Sequence, residues 1–91
     1  MASYQGRERE GKPTASGRPY RAAEMTCAHP SHPFDAVLEV VDLDTGRSVT
    51  VRVTDRGPFV QGRIVDLSLA AARALGMIQR GVARVRVTRV E

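Results

Sequence analysis

Cysteine, lysine and aromatic side chains are scarce in this chain of 91 residues, which has one cysteine, one lysine, no tryptophan and four aromatics, Tyr4, Tyr20, Phe34 and Phe59. Each scarcity excludes something. Cys27 has no partner for an intrachain disulfide, so a chain that can bury only a small core needs a metal, oligomerisation or a closed barrel to compensate. Four aromatics are too few for the stacking platforms that hold single-stranded nucleic acid, and no nucleic-acid partner is expected. The longest apolar-rich stretch, Leu67 to Leu75, is interrupted by Ser68 and Arg73. It falls well short of the ~18 consecutive apolar residues of a membrane span. The opening Met1-Ala-Ser-Tyr4 lacks the basic and apolar regions of a secretory leader, and the chain reads as a domain excised from something longer.

Arginine is plentiful. Thirteen arginines and Lys12 face ten acids, a net charge of +4 that attracts polyanions without choosing among them. The basic residues are dispersed, Arg7, Arg9, Arg18 and Arg21 near the start and Arg80, Arg84, Arg86 and Arg89 near the end, a pattern of solvated strand faces more than of one patch. With 42% hydrophobic and 26% charged residues the chain is globular, and its length predicts one compact domain over residues 1–91.

The segment from Gly6 to Pro33 holds four of the five prolines and reads as loops with short strands. Beyond it, Val37–Val41 and Val49–Val53 are rich in β-branched residues, and Asp44-Thr45-Gly46 between them has hairpin-turn chemistry. Val49, Val51 and Val53 alternate with Thr50 and Arg52, the period of a strand with one buried face. Ser68 and Gly76 have the character of an N-cap and a C-terminal stop, predicting a helix over 69–75 with Leu69, Ala72 and Leu75 inward and Arg73 outward. Val82–Val90 alternates again and is read as a strand. Val-Arg-Val-Thr occurs at 51–54 and at 85–88, an echo that suggests two similar halves about a pseudo-twofold axis. Several short strands with one helix favour a small closed barrel.

The densest chemical signal is Thr54-Asp55-Arg56-Gly57-Pro58-Phe59, directly after a strand. Read by itself, Asp55 either caps nearby backbone amides or is presented to a groove. Cys27, His29, His32 and Asp35 could be drawn together around a metal, but their spacing fits no standard zinc pattern; no metal is expected, Cys27 is read as a small buried residue and His32 as a loop residue.

The stretch from Val51 to Ser68, continuing through Ala70-Ala-Ala72 to Leu75-Gly76-Met77, resembles the rare lipoprotein A family of double-psi β-barrels. Ala2-Ser-Tyr4, Gly11-Lys12, Thr14-Ala-Ser-Gly17, Met25-Thr-Cys-Ala-His29 and Pro33-Phe34 carry the same likeness, which follows the chain in order and is most specific from Asp55 to Ser68. The resemblance implies a mainly-β, six-stranded double-psi barrel with one short helix. It implies a protein of the bacterial cell envelope or a secreted one, without cofactor and monomeric, acting on the glycan strands of peptidoglycan as lytic transglycosylases do, typically on strands stripped of stem peptides. Asp55 is then the catalytic acid, with His29 across the cleft; Thr14, Arg18, Arg56 and Phe59 are read as substrate contacts. In such chemistry one carboxylic acid protonates the glycosidic oxygen, and the muramoyl C6 hydroxyl closes onto C1 to give a 1,6-anhydro end.

Two departures stand near that site. Where the family usually carries Glu after Thr-Ala-Ser-Gly this chain has Arg18, and where it often has Asp this chain has Arg21. A guanidinium beside Asp55 would favour its ionised form, which cannot act as an acid; Arg18 could instead grip the lactyl carboxylate of muramic acid, and Glu24 is a candidate second acid off the family's position. These changes leave two other functions open: a glycan-binding domain that has lost catalysis, and a basic interaction barrel.

Overall fold

A computed structural model describes residues 1–91. Six strands and one helix follow in chain order: β1 (Ala2–Tyr4), β2 (Thr26–Ala28), β3 (Val37–Asp42), β4 (Ser48–Asp55), β5 (Val65–Leu67), α1 (Leu69–Leu75) and β6 (Val85–Arg89), with a 3-10 turn at Arg7–Arg9. The sheet order is β1-β5-β2-β4-β3-β6, with β1–β5 and β2–β4 parallel and the other pairs antiparallel. The ring is completed by Ala83, just ahead of β6, which exchanges two backbone hydrogen bonds with Ala2 of β1, at 2.7 and 3.0 Å. That bridge pairs the sheet's two ends, which solves the edge problem without a disulfide.

The alternation read from the sequence is the alternation of burial. Leu38 and Val40 from β3, Val49, Val51 and Val53 from β4, and Val65 and Leu67 from β5 point inward, and Ala71, Ala72, Leu75 and Met77 cover them from the helical segment. Both strands of the β3–β4 hairpin run slightly past their expected ends, whereas β6 is shorter than 82–90 because Ala83 is committed to closing the ring. The two Val-Arg-Val-Thr copies lie on either side of β3, each antiparallel to it. Helix α1 spans 69–75 as its caps predict: the Ser68 hydroxyl accepts from the Ala71 amide, and Gly76 takes the left-handed conformation (φ 78°) from which its amide reaches the Ala72 and Arg73 carbonyls.

Asp42, at the end of β3, has no exposed surface. One carboxylate oxygen accepts from the amides of Asp44 (2.9 Å) and Thr45 (3.2 Å), shaping the hairpin turn, and the other pairs with the Arg80 guanidinium. The arginine and these amides hold the Asp42 carboxyl below its usual pKa. The group therefore stabilises the fold at pH values above the unfolded carboxylate's ~3.9 and loses that contribution as pH falls through the lower folded value. Removing it leaves two amides and a half-buried cation unpaired, so Asp42→Ala should lower the free energy of unfolding by about 2–4 kcal/mol in urea titration at pH 7. The difference from wild type should shrink below pH 4. A change under ~0.5 kcal/mol, or one independent of pH, would contradict this role.

Candidate functional site

The β2–β4 register carries Asp55 into place. Cys27 lies opposite Val53, but Ala28 lies opposite Asp55, so β4 contributes one extra residue, Thr54, between the two pairs. Such a bulge bends the strand and re-aims the side chain that follows it. The Asp55 carboxylate emerges partly exposed at the strand end, where Oδ1 accepts from the amides of Ala15 (2.9 Å) and Arg56 (2.8 Å). Its second oxygen makes no hydrogen bond within the protein, so one oxygen caps backbone amides and the other is presented outward. The first of those amides belongs to Thr14-Ala-Ser-Gly17. The Thr14 hydroxyl donates to the Arg18 carbonyl (2.7 Å) and lies 2.9 Å from the Ser16 hydroxyl, and the Ser16 amide donates to the Thr54 carbonyl (3.1 Å). Gly17 turns this loop with φ +91°, a conformation costly for a residue with a β-carbon.

His29 arrives beside Asp55 through the backbone, its amide donating to the Asp55 carbonyl at 3.1 Å. Its Nδ1 accepts from the amides of Ser31 and His32, both at 3.1 Å. With Nδ1 an acceptor, the proton of the neutral ring sits on Nε2, which becomes a donor. Partial burial, the His32 ring 4.4 Å away and the Arg56 guanidinium all push the His29 pKa below its usual value, which favours this neutral form. Arg56 itself faces inward: one Nη donates to the carbonyls of His29 (3.3 Å) and His32 (2.8 Å), and its guanidinium carbon lies 4.1 Å from the centre of the Phe34 ring. It acts as a strut under the His29–Phe34 loop, with His32 supplying both an amide and a carbonyl to the arrangement. Phe59, by contrast, is 81% exposed on the loop after Pro58 and is free to meet a ligand.

The two arginines expected beside Asp55 pair elsewhere. Arg18 lies 3.5 Å from Asp35, which also draws Arg52 at 3.8 Å, and Arg21 lies 3.2 Å from Glu10; neither Arg18 nor Arg21 forms an ion pair with Asp55. Glu24 is placed with the arginines, in a concavity of about 270 Å³ over the outer face of β2 and β4 that Asp55 does not line. Cys27 is buried, and burial pushes its thiol up to about 12, an inert side chain. No group of three His, Cys, Asp or Glu side chains converges as a metal site would require.

One acid escaped notice in the sequence. Asp66 lies across β2 from Asp55, since Ala28 pairs with both, and burial raises its pKa although the Ser3 hydroxyl donates to it at 2.9 Å. The Val-Asp-Leu pattern of β5, a carboxylate between two core residues, is the signal that could have marked it.

Residues 2–87 match the model of the family described as lytic transglycolase. The chain is 51% identical over 89 residues to the probable endolytic peptidoglycan transglycosylase RlpA of a Nostoc species, covering 96% of this chain and 24% of that protein. It is 46% identical over 90 residues to the endolytic peptidoglycan transglycosylase RlpA of Pseudomonas aeruginosa, covering 99% and 26% respectively. The RlpA of Vibrio cholerae is 45% identical over 86 residues, with 94% and 33% covered, so the chain spans about a quarter to a third of the length of these relatives. Among solved structures, the Streptomyces papain inhibitor superposes with a TM-score of 0.77 at 27% identity, covering 99% of this chain and 90% of that one. The six-stranded ring, the clasped Asp55 and a family match over nearly the whole length lead to one conclusion: this chain belongs to the lytic transglycolase family, as an RlpA-like double-psi β-barrel.

Proposed function

We propose that the chain is the catalytic module of an envelope lytic transglycosylase that cleaves peptidoglycan glycan strands, with Asp55 as the acid. The observation that carries this reading is the asymmetric use of the Asp55 carboxylate, one oxygen fixed by two amides and the other left without a protein partner, on a residue whose backbone carbonyl also holds the His29 amide. In its protonated form Asp55 delivers its proton from Oδ2 to the glycosidic oxygen, and the bond from that oxygen to muramoyl C1 breaks. The C6 hydroxyl of the same sugar closes onto C1, and its proton returns to the carboxylate, so the enzyme ends as it began. His29 donates from Nε2 to a sugar oxygen and orients the ring that reacts. Arg56 holds the His29 loop in place, and Phe59 offers a face on which a sugar can stack. The relatives named above are endolytic peptidoglycan transglycosylases, which supports the assignment of substrate.

Asp55→Asn should keep the fold and the affinity for glycan strands while reducing release of 1,6-anhydro ends at least ~100-fold, measured by mass spectrometry of digested strands. Wild-type binding without anhydro products would replace this reading with that of a glycan-binding barrel. Protonating His29 would cost it the two amide bonds at Nδ1, so activity should fall on the acid side, with a midpoint below the ~6.5 of a free imidazole. Arg56→Gln, which removes one cause of the lowered value, should move that midpoint upward; an unmoved acid limb would exclude His29 as its source.

A further inference from the structure

The concavity over β2 and β4 is lined by three guanidiniums, Arg18, Arg21 and Arg52, against one carboxylate, Glu24, with Tyr20 and Thr54 forming part of its wall. The arginines come from two distant parts of the chain, the loop ahead of β2 and the middle of β4, so the fold and not local sequence brings them together. They are incompletely used. Arg18 makes one ion pair at 3.5 Å, Arg21 one at 3.2 Å, and Arg52 a 3.8 Å pair and a 3.4 Å bond to the Asp35 carbonyl. All three side chains are about half exposed or more, at 62%, 50% and 48%, and exposed pairs of this kind exchange readily for another anion. Each guanidinium has five N–H donors in a planar fork matched to a carboxylate, and most of them meet no protein acceptor here.

The concavity is tied to the catalytic carboxylate on two sides. Thr54 in its wall is the residue before Asp55, and Arg18 closes the loop whose Ala15 amide holds the Asp55 oxygen. Ala15 and Arg18 are three residues apart, so their backbones lie at most about 10 Å apart, close enough for one glycan strand to reach both the concavity and Asp55. The acidic group that recurs along a peptidoglycan strand is the carboxyl of the muramoyl side group, either the free lactyl carboxylate or a carboxylate of the peptide attached to it. We propose that this concavity is a carboxylate-binding subsite that grips the acidic side group of a muramoyl residue while a glycosidic oxygen lies at Asp55. The inference rests on the reading of the chain as a glycan-strand transglycosylase and adds what selects and orients the strand. Glu24, in the same lining, disfavours a second acid in this space.

The test is a binding matrix in the Asp55→Asn background, which prevents cleavage. Stem-free strands, stem-bearing strands, and stem-free strands whose lactyl carboxyls have been reduced to alcohols are titrated against the parent and against Arg18→Gln, Arg21→Gln and Arg52→Gln. Reduction of the carboxyl and loss of an arginine should each weaken binding roughly tenfold, and the arginine variants should bind reduced strands no worse than the parent does. Arginine dependence confined to stem-bearing strands would place the peptide's carboxylate in the subsite in place of the lactyl group. Equal affinity of parent and variants for all three strands would overturn the subsite while leaving the glycan reading intact. Failure of every strand to bind would overturn both.

Discussion

Closure of a very short sheet is the constraint on which the rest of this molecule depends. Three of its strands are only three residues long, and a two- or three-residue pairing has no independent stability. The reciprocal hydrogen bonds between Ala2 and Ala83 convert five strand pairings into a ring whose interior is filled by valine and leucine from alternate positions, with helix α1 and Met77 packed against them. Asp42 and Arg80 tie the far end of the β3–β4 hairpin to the segment leading into β6. Cross-links between distant segments take the place that disulfides hold in other domains of this size.

A closed ring also explains why the site is where it is. The chain has to leave β4 and β2 at one rim, and the Thr54 bulge decides which way Asp55 faces when it does. Two loops then converge on that residue, one contributing the Ala15 amide and the other the His29 amide, so side chain and backbone of Asp55 are both held from outside its own strand. Rigidity of this kind suits a lone carboxylate to directional chemistry, because the geometry needs no payment at the moment of reaction. Arg56 illustrates the same economy. Its charge is directed into loop carbonyls and an aromatic face, which stiffens the histidine loop, and the open surface is left to Phe59.

What could be read from the sequence was what is encoded locally. Alternating valines marked β3 and β4 because a strand's period is two, and Ser68 and Gly76 marked the ends of α1 because capping is settled within four residues. Asp55 stood out through its Gly-Pro turn and the motif around it. The partners of the charged groups were not legible. Nothing near Arg18 in the chain points to Asp35, and nothing near Asp42 points to Arg80, 38 residues away. Asp44 drew notice as a turn residue, yet it is Asp42 whose carboxylate shapes that turn, because only the closed fold buries it. Asp66 stayed hidden for a related reason: its altered acidity comes from burial against β1 and β2, a tertiary property. The expectation that Arg18 and Arg21 would stand beside Asp55 came from their places in the family's motif, and the fold instead turns both toward other acids.

Cleavage by this barrel requires the open oxygen of residue 55 to meet the bond that breaks. A crystal structure of the Asp55→Asn chain with a glycan strand bound measures this directly. The outward atom of the residue 55 side chain should lie within about 3 Å of a glycosidic oxygen, with His29 Nε2 donating to the adjoining muramoyl sugar. A strand seated elsewhere on the barrel, with residue 55 facing only solvent, would contradict it.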